Sequence, residues 1–106
     1  MENFKIELLP IGRLALEIRG ATALLQNYLS AYDHENIIRQ KNRISILGDQ
    51  LQIYQQDKSL LKNNLVSYDW FRIAVNEFKT AQSIVETVPI HFYSSLRLIS
   101  SRSIPP

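Results

Sequence analysis

The chain has 106 residues, 45% of them apolar and 21% charged, with a net charge of +2 and no cysteine. That is one domain by size, with apolar content enough for a core that needs neither disulfides nor a metal. The composition excludes a disulfide framework, a thiolate zinc site and a cysteine nucleophile, and it makes disorder a poor reading of the body.

The start, Met1 to Glu7, lacks the basic stretch and apolar run of a signal peptide, and no apolar run approaches bilayer length. No Asn-x-Ser/Thr sequon occurs. Together with the lack of cysteine, these features point to the cytoplasm and to no membrane partner. Acidic and basic residues mix from Glu2 to Glu86, and beyond Glu86 only Arg97 and Arg102 carry charge.

In chain order, residues 4–18 alternate: Phe4, Ile6 and Leu8, then Leu14, Leu16 and Ile18. Pro10 and Gly12 between the runs suit a three-residue hairpin loop, with Gly12 in the left-handed conformation. One register places every apolar side chain on one face. Ala21, Leu25, Tyr28 and Tyr32 then follow helical spacing. A second hairpin is expected over 43–54, turning at Gly48-Asp49 and pairing Ile46 with Leu51 and Ile44 with Ile53. Leu61, Leu65, Tyr68, Phe71, Val75, Phe78 and Val85 form a longer helical stripe, capped by Asp57 or Ser59 and stopped by Pro89. Residues 90–99 read as a last strand and 100–106 as a disordered tail.

The expected fold is a small α+β domain over residues 1–99, an antiparallel sheet and two helices in ββα-ββα-β order. The rival reading is an all-helical bundle with one long helix over 34–68, carried by heptads through Ile37, Ile44 and Leu51 and through Leu47, Tyr54 and Leu61. Gln40 and Lys58 on that seam count against it. So do Ile46 and Ile53, which a helix would turn away from the other apolar residues.

A shift of 36 residues lays Gly12 on Gly48 and matches Leu-Leu-x-Asn-x-Leu-x-x-Tyr-Asp at Leu24–Asp33 to the same string at Leu60–Asp69. This suggests an internal duplication of a ββα unit.

No phosphate-cradling glycine loop occurs in the sequence. Asp33-His34-Glu35 has metal-ligand types at the wrong spacing, so an exposed helix turn is the better reading. No GxSxG elbow accompanies the serines, and His91 falls in the expected last strand. No cofactor is implied, and an enzyme is not expected. Arg39, Lys41 and Arg43, with Arg97 and Arg102 near Phe92 and Tyr93, are the candidate contacts to a single-stranded nucleic acid.

A second apolar stripe on the later helix, Val66, Trp70, Ile73 and Ile84, exceeds what one packing layer needs. It is the candidate interface to a protein partner or to a second copy in a homodimer. The functional expectation is a non-catalytic, self-associating interaction module of inhibitor, immunity or scaffold type. Single-stranded nucleic-acid binding is the alternative.

Overall fold

The computed structural model describes residues 7–88, and over that span it is helical. Helix α1 spans Ile11–Ser30, α2 spans His34–Gln56 and α3 spans Leu65–Glu86, with a short 3-10 turn at Lys58–Leu61 before α3. No strand occurs among the described residues. The expected sheet and both hairpins are therefore corrected to a three-helix bundle. The rival long helix is right in kind but stops at Gln56 rather than running to residue 68. The expected last strand and tail lie outside the described residues.

Local chemistry explains each boundary. Pro10 stands just before α1, where a residue without an N–H costs least, and its carbonyl accepts from Leu14 N–H at 2.8 Å. Asp33 caps α2, its carboxylate accepting from Asn36 N–H at 3.3 Å. Asn64 caps α3 by accepting from Val66 N–H at 2.9 Å and Ser67 N–H at 3.3 Å. Asp57 caps the 3-10 turn instead of α3, through Ser59 N–H at 3.1 Å. Ser59 caps neither. Helix α3 ends at Glu86, two residues short of the Val88-Pro89 pair.

The core forms where three helical faces meet. Leu14, Ile18 and Leu25 of α1, Ile37, Ile44 and Leu51 of α2, and Leu61 are almost completely buried. Each such side chain contributes about 1.5–3 kcal/mol on leaving water. Helix α3 reaches the core through two alanines seven apart, Ala74 and Ala81, both fully buried. Short side chains there let α3 lie close against α1.

Helix α1 packs along both neighbours, while α2 and α3 meet each other less extensively. Arg19 of α1 pairs with Glu77 of α3 at 3.0 Å, and Arg43 of α2 pairs with Glu17 of α1. Trp70 lies over Gly12 near the start of α1. Residue numbers rise together along α1 and α3 and run opposite along α1 and α2, so the bundle is up-down-up.

Glycines that looked like turns have other work. No glycine among the described residues has positive φ, so Gly12 is not left-handed. Gly48 lies inside α2, and a Cβ there would stand 2.5 Å from the Phe78 ring of α3. Its missing side chain is the hollow in which that ring sits. The repeated string also falls in unlike settings. Asp33 caps α2 from a loop, whereas its match Asp69 is inside α3. A repeated ββα unit is absent from the described residues.

Candidate partner surface

Ala74 and Ala81 define the line along which α3 faces the core. At about 100° per residue, Val66, Trp70, Ile73 and Ile84 all fall about 40–100° to one side of that line. They form one flank, the same flank that carries Glu77 to Arg19. Trp70, Ile73 and Ile84 are half-buried there and pack against the core. Val66 is 62% exposed. The reason is positional: Trp70 already stands level with Gly12, in the first turn of α1, so Val66 one turn earlier overhangs the end of that helix.

Leu65, placed by its spacing in the buried stripe, is in fact 81% exposed. Nine residues separate it from Ala74, which turns it about 180° from the core line. Leu60, on the 3-10 turn, is exposed as well. Three exposed apolar residues thus gather within seven positions, at the corner where the chain enters α3. Leu60 also lines a concavity with Leu8, Pro10, Gly12, Tyr54, Lys62, Ser67 and Trp70. Exposed aliphatic side chains at a corner next to a hollow lined in part by aromatic rings suit a protein partner. Leu60 and Leu65 escape a reading by spacing alone. Only knowing that the alanines face the core reveals them.

The candidate nucleic-acid residues do not come together. Arg39 and Arg43 share one face of α2, and Lys41 lies on the opposite side. Arg39 holds Glu35 at 3.3 Å and Asn36 at 2.9 Å, and Arg43 holds Glu17. Arg97 and Arg102 lie outside the described residues. Glu17 also accepts from Arg13 at 2.8 Å, and this bond, with the Arg43 charge beside it, holds its carboxyl below the usual glutamate range.

His34 is exposed in the first turn of α2, between the cap Asp33 and Glu35. No group of three or more potential metal ligands gathers among the described residues. His91 lies outside them. No described helix is long and apolar enough to cross a membrane. No family model, curated protein or solved structure matches this chain.

Proposed function

We propose that this chain is a non-catalytic protein-interaction module that self-associates, with the entrance to α3 as its contact surface. One observation carries the reading: Leu65 and Val66 are 81% and 62% exposed at the same corner as Leu60, which lines a hollow with Trp70 and Tyr54. Adjacent exposed aliphatic residues at a structured corner oppose solubility, and a partner would remove that cost. Ile73 and Ile84 follow on the same flank of α3, farther from that corner. An inhibitor or scaffold of this size fits a cysteine-free chain working in the cytoplasm.

The test is sedimentation of the purified chain over a range of concentrations, beside Val66→Asp and Trp70→Ala variants, with circular dichroism of each. The expected result is a reversible dimer that Val66→Asp dissociates while the helical spectrum stays. Trp70→Ala should weaken association by about 2 kcal/mol or more, as aromatic anchors do. A monomer at every concentration would overturn self-association. Association with nucleic acid that falls steeply with salt would favour the alternative function.

A further inference from the structure

The residues before α1 run across α2 as an extended segment. Leu8 lines the hollow on the Trp70 side, and it also lines a second hollow formed with Ile46, Asp49, Gln50 and Ile53. Ile46 and Ile53 are 47% and 45% exposed, seven residues apart on the outer face of α2. The segment therefore lies between two depressions, a mainly apolar one at Ile46 and Ile53 and a mixed one at Trp70 and Lys62, with one leucine bordering both.

Two side chains of α2 hold it there. The Gln50 carboxamide accepts from Leu9 N–H at 2.9 Å and donates to the Glu7 carbonyl at 3.3 Å. The Tyr54 hydroxyl donates to the Leu9 carbonyl at 2.7 Å. Gln50 is itself 93% buried, at 7% exposure, so its polar end is spent on this one task. A carboxamide that takes a carbonyl and an N–H from alternate residues imitates the edge of a neighbouring strand. It recognises extended backbone of any sequence, and the apolar seat beside it supplies the selection. Glu7 and Pro10 are exposed, and Leu8 and Leu9, though packed against the core, are only half-buried. Regions with few buried contacts open without unfolding the rest.

We propose that Glu7–Pro10 is a displaceable strap, and that the groove beneath it takes an extended peptide segment of a partner protein. The segment would place a leucine-type side chain beside Ile46 and Ile53 and offer its backbone N–H and carbonyl to Gln50. The strap is the argument for that occupant, since it is such a segment, seated. The inference deepens the partner-surface reading, because Leu60 and Trp70 of that surface line the hollow on the Trp70 side.

The probe is a capped peptide with the sequence of Phe4–Ile11, titrated into the full chain carrying Leu8→Gly and Leu9→Gly and read by fluorescence anisotropy. The loosened chain should bind it about tenfold or more tightly than the unaltered chain, whose own strap competes. Adding Gln50→Leu should abolish at least that gain. No binding by a loosened chain that keeps its helical spectrum overturns the proposal, as does binding indifferent to Gln50.

Should the loosened chain lose its helices, hydrogen exchange on the unaltered chain decides. The Leu9 amide should exchange about a hundredfold or more faster than the Ile18 amide, through local opening. Exchange of both at one rate overturns the strap. Val66→Asp should leave peptide affinity within about twofold of its starting value, since Val66 lies outside the Gln50 groove. Failure of the corner as a contact surface would therefore appear in sedimentation, and failure of the strap in peptide binding or exchange.

Discussion

Tyr32 closes α1 in a conformation that favours glycine. Its φ is 56°, its N–H donates to the Leu29 carbonyl at 3.2 Å, and Asp33 N–H reaches back to Tyr28 at 3.0 Å. This is the left-handed close of a Schellman motif, where a Cβ meets the following carbonyl. The ring is 76% exposed and recovers little of the cost. Tyr32→Gly should raise stability by about 1 kcal/mol, read as a higher denaturant midpoint with unchanged slope. The three glycines make a second test at this scale. Alanine at Gly20 meets nothing within 4 Å, and at Gly12 it makes ordinary contact with Trp70 at 3.6 Å. Each should gain up to about 1 kcal/mol of helix propensity. Gly48→Ala should lose about 1 kcal/mol net, because the Phe78 ring must leave its hollow. Phe78→Leu in that background should return part of the loss, which a double-mutant cycle would measure.

Elements are where the sequence misleads, and three residues explain how. Leu14, Leu16 and Ile18 alternate, yet only Leu14 and Ile18 are buried while Leu16 is half-exposed on α1. Ile46 and Ile53 repeat the effect on α2. A helix does turn these two away from Ile44, Leu47 and Leu51, and the fold simply leaves them outside. Gly48 and Pro10-Gly12 then lent turn chemistry to segments that are helical, one as a ring seat and the other as a helix start. Helical spacing in α1 after Ala21 and in α3, and the stop before Pro89, were legible, although spacing alone puts the exposed Leu65 in the buried stripe. The flank Val66–Ile84 was legible as a stripe. Its corner neighbours were not: Leu60 sits on the 3-10 turn, and Leu65 shows as exposed only once Ala74 and Ala81 fix which face of α3 meets the core.

Between elements, Glu17 joins α1 to α2. Its depressed carboxyl contributes stability that is complete above the ordinary glutamate range and is lost as pH falls through the lowered value. Glu17→Gln should cost up to about 1 kcal/mol at neutral pH, because its two arginine partners are largely exposed. The gap between variant and parent should narrow as pH falls below the ordinary glutamate range. A gap that persists in acid would assign the loss to packing rather than charge.

For the whole molecule, the far-UV spectrum should be dominated by helix, and a substantial strand component would contradict the bundle. The connection into α3 has a further consequence. Lys62 and Asn63 both have positive φ, 57° and 51°, on an exposed corner beyond the buried Leu61. A protease that cuts after lysine should therefore nick the chain at Lys62 while the helices still resist it. The two pieces should stay together, since α3 is held through Ala74, Ala81 and Phe78 rather than through the corner. Mixing a separately prepared 1–62 fragment with a 63–106 fragment should then rebuild the bundle by complementation. Its dissociation constant would turn the fit of α3 against the other two helices into an affinity that can be titrated.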